Sequence, residues 1–468
     1  MRKFCNLVVN EYVKVFSRLS TKIMLAVIIL LALGYNALSH YDLNQSRRWD
    51  SNYASSIEDY DQMIEDAKHY KEKGWEIQVE KLEFARDNDI NIYDSGWQSY
   101  AVASLFSTKQ LLADAVSDEE KALLQQEFDK QKDVILQGDW KAYISNKIES
   151  LEAEIKDLDE LDIATWAGKY CIANNIEPKA YEKDWKSNIV YAIENAKLSN
   201  YNEVKKPVQD RNIRQIEENN EAILVGMYRL ENNIEIASVP DHIDFMGTGS
   251  DFLKVLAGSA RLLMIISLLI IIVAGGSVSS EFSNGTVKFL LVNPVKRGKI
   301  LAAKYISVLS VALIMLMTFY VFNALLAGVF HGFSGIGASY FYVSNGAVHS
   351  IPSILNIAWG YIMGSLNLLV MATFAFALSS LVRSSALSIG LGVFLFSSGT
   401  IFVQVLAREF KMDWARYIIF ANTDLNTIQI GESPFVNHTV GFALGVVAVY
   451  MAVFMLTAWD GFVRRDVR

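Results

Sequence analysis

The chain has 468 residues, of which 52% are hydrophobic, and its mean hydropathy is +0.21. Soluble proteins are on average less apolar, so this composition predicts membrane-spanning helices and makes a soluble globular protein improbable. The formal net charge of −8 is distributed unevenly. Residues 41–252 hold 43 acidic and 24 basic side chains, whereas the remainder holds 8 acidic and 19 basic ones. The two parts are therefore expected to face different compartments.

The chain carries few of the side chains that build disulfides or metal sites. Its two cysteines, Cys5 and Cys171, fall in these two different parts, so no disulfide framework is expected. The six histidines stand singly, without a metal-ligand spacing. We therefore expect no metal site and no cofactor bound by this chain.

Residues 1–22 predict an amphipathic helix. Apolar residues recur at helical spacing from Phe4 to Leu19, and polar side chains such as Glu11 and Lys14 fall mostly on the opposite side. A helix of this kind lies in the membrane interface with its apolar face toward the lipid. We expect it on the cytoplasmic surface.

Long stretches without Asp, Glu, Lys or Arg predict six membrane spans. Four of them, 23–39, 262–280, 384–407 and 433–459, are each of the length that crosses a bilayer once. Residues 305–382 are long enough for two helices, separated by a Gly-, Ser- and Pro-containing break at 331–353. The predicted fold class is an α-helical polytopic membrane protein, with five of its helices within 256–461 and the first at 23–40.

The distribution of cations in the short flanks predicts the orientation. With the N-terminus in the cytoplasm, the inner side receives fourteen Lys and Arg residues and the outer short loops receive three. Both termini, including the tail 462–468, are therefore expected in the cytoplasm of a multi-pass protein of the cell membrane, in a bacterium the plasma membrane. One alternative stays open: the Ala-x-Ser of "NALSH" could be a signal-peptide cleavage site, which would leave five spans.

Residues 41–255 predict a large, mainly helical extracytoplasmic domain between the first and second spans. A coiled-coil-like seam runs from Ile144 to Leu158 at alternating steps of four and three. Its tryptophans would suit contact with sugars or lipids, or simply core packing. The domain itself is expected to be a gate, a capture module or a docking site, or alternatively a solvated spacer.

The stretch "EFSNGTVKFLLVNPVKRGKILAAKY" at 281–305 lies between two apolar runs and is predicted to be cytoplasmic. Asn284-Gly285 is a strong turn signal. A short amphipathic stretch follows it and is ended by Asn293-Pro294. A short helix parallel to the membrane is expected here, fixed by glycine and proline.

This stretch resembles the signature of the permeases of type-2 ATP-binding-cassette (ABC) exporters, which runs E…GT…LL…P…R…I…AK. The resemblance implies that segment 281–298 contains a coupling helix that fits a groove of a cytoplasmic ATPase. The residues that take the matching positions are Glu281, Gly285, Thr286, Leu290, Pro294, Arg297 and Lys304. It also implies an outer re-entrant helical pair at 408–435. The large first outer loop departs from the simplest members of that family.

No G-x-x-x-x-G-K-[ST] loop occurs in the sequence, so the chain lacks the usual cradle for ATP phosphates. It is therefore predicted not to be an enzyme. ATP and Mg²⁺ would be bound by partner ABC ATPase subunits, as the resemblance also implies. Further expected partners are membrane lipid and a second permease chain, identical or different; no nucleic acid is expected.

The spans carry polar residues but no formal charges, which argues against a proton or ion relay. An amphipathic cargo would suit such a lining, and single polar residues could equally be bonding helix to helix. The candidate pathway or interface residues are Asn323, Asn367, Thr373, Gly390, Ser397 and Gln404. The expected function is that of an exporter permease. The alternative is a transmitter that passes ATPase motion to an extracytoplasmic partner without a translocation path.

Overall fold

The computed structural model describes residues 2–54, 60–71, 74–93, 95–179, 184–240, 250–286, 295–382, 384–429 and 433–464. The chain divides into two compact units. The membrane unit comprises Met1–His40, Asp251–Ile336 and Ile354–Arg468, and the helical unit comprises Tyr41–Ser250 and Gly337–Ser353. The helical unit thus takes a second segment, between the third and fourth apolar helices, that the predicted domain at 41–255 did not include.

Six helices in the described part of the chain are long and apolar enough to cross a membrane, the number predicted from the sequence. Spans 1 to 6 are Leu19–Gln45, Asp251–Gly276, Arg297–His331, Ser353–Leu381, Ser385–Arg408 and Val440–Arg464. The leader helix, Arg2–Ser17, precedes span 1, whose helix continues to Ala54. A short helix, Ser279–Ser283, follows span 2.

Glycines allow close packing within the membrane unit. A Cβ on Gly392 of span 5 would lie 2.8 Å from Ile271 of span 2, and one on Gly275 would lie 3.0 Å from Ile389. Spans 2 and 5 therefore approach each other more closely than larger residues permit. At the start of span 3, Gly298 leaves room for the indole of Trp459 in span 6.

The return segment, residues 409–439 between spans 5 and 6, is built of short turns. Its described elements are the 3₁₀ turns Asp413–Tyr417 and Ile419–Ala421 and the helix Leu425–Gln429. Ile419 packs with Val370 of span 4 and Val447 of span 6. The segment thus folds back onto spans 4 and 6.

The described residues of the helical unit form eight successive α-helices beyond the end of the span 1 helix, and each packs on the next. Helices α1 to α8 are Tyr60–Tyr70, Trp75–Asp87, Trp97–Asp114, Asp118–Gln137, Trp140–Glu154, Leu158–Asn174, Trp185–Lys205 and Ile213–Glu231.

Local capping determines where several of these helices begin and end. The Ser117 hydroxyl accepts a hydrogen bond from the Glu120 N–H, and Asp139 accepts one from the Ala142 N–H. Each cap satisfies a backbone donor that the first helical turn leaves unpaired. Gly138, with a φ of 66°, ends α4 in the left-handed conformation that glycine adopts easily.

The predicted continuous seam from Ile144 to Leu158 is wrong. α5 ends at Glu154, and the Asp157 side chain accepts hydrogen bonds from the N–H groups of Asp159 and Glu160 to begin α6. Ile144 is buried, but the Leu158 side chain is 79% exposed. The capping aspartate stabilises a new helix start, and this local interaction overrides the apolar spacing.

The segment 337–353 contributes a β-hairpin to the helical unit. β1 (Ser339–Ser344) pairs antiparallel with β2 (Ala347–Pro352) through a turn at Asn345-Gly346, where both residues have positive φ. Asn-Gly is the pair that such two-residue hairpin turns favour. Phe341 of β1 is buried in the core formed largely by α6, α7 and α8. The sequence pattern had indicated only a break between two spans at this place.

We expect Phe341→Ala to destabilise the helical unit by about 3 kcal/mol or more, because it leaves a cavity among well-packed helices. Urea unfolding of the purified protein measures the change. Limited proteolysis at each urea concentration reports when α6 to α8 unfold. His349→Ala, on the exposed side of β2, is the matched control. Equal midpoints for the two variants would show that the hairpin adds nothing to this core.

Candidate functional site

Four charged side chains meet in the membrane unit, and we call this cluster the charge junction. The Lys304 ammonium of span 3 lies 2.8 Å from an oxygen of Glu11 in the leader helix and 3.2 Å from an oxygen of Glu281. Lys14, one turn along the leader helix, also pairs with Glu281. Two cations and two anions thus join the leader helix, the short helix after span 2 and the start of span 3.

The junction is largely shielded from solvent. The side chains of Lys304 and Glu281 are 2% and 4% exposed, while Lys14 at the edge is 41% exposed. Burial by itself would raise the pKa of Glu281. The ammonium groups of Lys304 and Lys14 and the Thr286 hydroxyl outweigh it and lower that pKa to about 2. Glu281 is therefore ionised at neutral pH. The stability contributed by its pairing is complete above the unfolded pKa of about 4.3 and is lost as pH falls from there through about 2.

Hydrogen bonds to span 4 fix the position of the helix that carries Glu281. The Ser379 hydroxyl accepts from the N–H groups of Val278 and Ser279, at 3.0 and 2.9 Å. The Ser279 hydroxyl in turn donates to the Gly275 carbonyl, and this hydrogen bond connects the short helix to the end of span 2. A small change of angle between spans 2 and 4 would therefore move the Glu281 carboxylate directly.

The structure brings together three of the residues predicted for ATPase coupling: Glu281, Thr286 and Lys304. Gly285 has a φ of 70° and forms the turn that its Asn-Gly pair predicted, while Arg297 is the first residue of span 3. The predicted positions Leu290 and Pro294 lie outside the described residues.

Sequence reasoning missed Glu11 and Lys14 as members of this site. It read them only as the polar side of an interfacial helix. One signal was present: Glu11 is the only acidic residue among the first 41. An isolated carboxylate in an otherwise basic leader indicates a specific cationic partner, which is Lys304.

Two of the predicted pathway residues are buried in contacts between helices of this chain. Asn323 of span 3 accepts a hydrogen bond of 3.0 Å from the Asn36 amide of span 1, and both are fully buried. Thr373 of span 4 bonds to the Tyr305 hydroxyl of span 3 at 2.8 Å. These contacts correspond to helix–helix hydrogen bonding. Asn367, also in span 4, is only partly buried.

The other three predicted pathway residues lie along one exposed face of span 5. Gly390, Ser397 and Gln404 are exposed and recur every seven residues. Large exposed apolar residues, Leu387, Phe394 and Ile401, follow the same period. We call this surface the span 5 face. Its spacing is typical of a helix seam that meets another helix.

A buried polar cluster holds the return segment together. The Asn422 amide donates to the carbonyls of Arg416 and Ile418, both at 2.8 Å, and its oxygen accepts from Nε2 of His438 at 2.9 Å. Nδ1 of His438 lies 2.6 Å from the Ser433 hydroxyl. Because the Asn422 nitrogen donates to both carbonyls, its oxygen faces His438, and Nε2 carries the proton shared between them. Burial, with the nearby Arg416 charge, lowers the pKa of His438.

No group of three or more His, Cys, Asp or Glu side chains in the described part of the chain is arranged to hold a metal ion.

The fold and the six apolar helices define an α-helical, multi-pass membrane protein. The chain belongs to the family described as "Protein of unknown function (DUF2705)", whose model matches residues 222–468. This match includes the region from span 2 onward, and most of the helical unit precedes it.

Two relatives from Bacillus subtilis (strain 168) are similar to the chain. The "Uncharacterized protein YhcI" is 32% identical over 305 residues, which are 65% of this chain and 91% of the relative. The "Uncharacterized membrane protein YdbK" is 29% identical over 223 residues, 47% of this chain and 86% of the relative. This chain is therefore the longer protein in both pairs.

Lys304→Met should destabilise the membrane unit by about 3 kcal/mol or more, since it leaves the buried Glu281 and Glu11 carboxylates without the buried cation that they share. Lys299→Met, at an exposed position one turn earlier, is the control and should change little. Thermal unfolding in detergent compares the two variants. In a second step, Lys304→Met combined with Glu281→Gln should recover part of the loss; no recovery would mean that the two residues do not interact.

The stability of the return segment should depend on pH through His438. Because its folded pKa lies below the unfolded value of about 6.5, the native state resists protonation, so stability falls as pH drops below that value. Hydrogen exchange of residues 413–429 at pH 7.5 and pH 5 measures this. His438→Gln retains a polar side chain without the titration, and its exchange should respond less to pH. An equal pH response in both proteins would exclude His438 as the source.

Proposed function

We propose that the chain is the permease subunit of a type-2 ABC exporter, which couples a separate cytoplasmic ATPase to movement of an amphipathic cargo across or out of the membrane. The observation that carries this proposal is the charge junction. It joins three elements at the place where the sequence resembles the coupling signature: the leader helix, the end of span 2 and the start of span 3.

The junction suits the transmission of a mechanical load. An ion pair buried in a medium of low dielectric constant resists separation, because neither charge can recover its hydration. Lys304 binds both Glu11 and Glu281, so displacement of one element displaces the others. A push on segment 281–298 would therefore reach spans 2 and 3 and the leader helix together.

The orientation in this proposal places segment 281–298 and both termini in the cytoplasm and the helical unit outside the cell. Its support is the excess of Lys and Arg in the short flanks on one side and the acidic charge of residues 41–252. A basic cytoplasmic surface would suit an acidic groove on the ATPase, and ATP with Mg²⁺ would bind there rather than in this chain.

The span 5 face supports a second permease chain as a partner. Serine and glutamine side chains are unfavourable against lipid hydrocarbon, so Ser397 and Gln404 are better explained by a facing helix or a pathway. They are seven residues apart, and the exposed apolar residues Phe394 and Ile401 beside them are also seven apart, which matches such contact. By contrast, the side chains of Asn323 and Thr373 form hydrogen bonds to other helices of the same chain.

Reconstitution with the ATPase tests the proposal. The ATPase is captured through a photo-crosslinking residue at position 299 and identified by its nucleotide-binding motif. In proteoliposomes the permease should stimulate ATP hydrolysis. Glu11→Gln should reduce this stimulation severalfold, because it removes one of the two anions that bind Lys304, while binding of the ATPase persists.

Glu409→Gln, at an exposed position beyond span 5, is the control and should leave stimulation unchanged. Impermeant maleimide labelling supplies the second arm, in a background without Cys5 and Cys171. In intact cells the maleimide should react with a cysteine that replaces Gln125 and should not react with one that replaces Lys299. Labelling of position 299 from outside, or full stimulation by Glu11→Gln, would contradict the coupling scheme.

A further inference from the structure

A cleft in the helical unit lies outside the charge junction and outside the family match. Helices α1 and α3 both pack on α2, and between them lies a trough of about 680 Å³. This volume falls within the range typical of small-molecule sites. The described residues that line it belong to 66–110, well before residue 222, where the family model begins to match.

Two partly or well exposed aromatic side chains line the cleft, Tyr70 from α1 and Trp75 from α2, above Phe106 of α3, which is buried in a core. Tyr70 is 73% exposed, which is unusual for an aromatic residue that serves only the core. Trp75 packs partly on the core of α1 and α2 and also lines the cleft. By comparison, Trp97 is 4% exposed and belongs to a core. Core packing therefore explains Trp97 but only part of Trp75.

The polar lining is uncharged for the most part and able both to donate and to accept hydrogen bonds. It includes the carboxamides of Gln78 and Gln110 and the hydroxyl of Ser107. All three residues are exposed in the cleft. Asp66 and Lys81 add one formal charge of each sign, so the described lining has no net charge.

We infer that the cleft binds an uncharged saccharide. A sugar ring presents an apolar C–H face and a rim of hydroxyl groups, and it therefore needs both aromatic surfaces and paired donors and acceptors. The lining supplies both on neighbouring helices. A groove for an amphipathic peptide helix would instead be rich in large aliphatic side chains, and Ile77 is the single one among the described lining residues.

Titration of the full-length protein in nanodiscs tests this inference. The probes are cellobiose, maltose and N,N′-diacetylchitobiose, and calorimetry measures their binding. We expect saturable binding of at least one disaccharide. Gln78→Ala and Gln110→Ala should each weaken it about fivefold or more, since each removes a group that bonds to sugar hydroxyls. These exposed positions are chosen because Trp75→Ala would also disturb the core.

Gln125→Ala is the matched control, because Gln125 is an equally exposed glutamine on α4, away from the cleft, and should leave the affinity unchanged. Absence of saturable binding of all three sugars at millimolar concentration would overturn the inference. So would binding that both cleft variants leave intact, or preferential binding of an amphipathic peptide that Gln78→Ala weakens. None of these results bears on ATPase stimulation, so the coupling scheme is tested separately.

Discussion

The membrane unit depends on how Lys304 is neutralised. An ammonium group that is 2% exposed at the beginning of an apolar helix is stable only with anions in direct contact, and it has two. One anion comes from the leader helix and the other from the segment after span 2. The electrostatic requirement of a single cation thereby determines which three elements must stay together.

The same requirement supports the coupling role that we propose for the junction. Hydrophobic helix contacts in a membrane are weakly directional, because lipid is as apolar as the side chains it replaces. Paired charges and the hydrogen bonds from Ser379 to the helix after span 2 are directional and specify one arrangement. A movement imposed on Glu281 would therefore be transmitted to definite partners and not dissipated in the bilayer.

The helical unit differs from the membrane unit in that local interactions determine where many of its helices begin and end. Capping side chains such as Ser117 and Asp157 begin its helices, and apolar residues on adjacent helices form its cores. The hairpin between spans 3 and 4 completes one of these cores with Phe341. This unit is also where the chain extends beyond the part that the family model matches, and it carries the cleft. A specific role of this chain is accordingly best sought there.

Some features of the fold could be predicted from the sequence and others could not. The six spans followed from uncharged length, because crossing hydrocarbon demands about 20 apolar residues whatever the neighbours are. The hairpin was missed although its Asn345-Gly346 turn was readable, since the surrounding residues looked like a loop between two spans. The prediction of a seam from Ile144 to Leu158 was wrong, because an apolar period does not reveal that Asp157 caps a new helix.

The sequence by itself determined the number of apolar helices, the amphipathic leader and the charge asymmetry, because each depends on transfer of side chains between water and hydrocarbon. Only the tertiary structure decided that Glu11 meets Lys304 across 293 residues of chain, and that Asn323 faces a neighbouring helix while Ser397 is exposed. Those outcomes depend on the rotation and packing of whole helices. Spacing along one segment does not specify them.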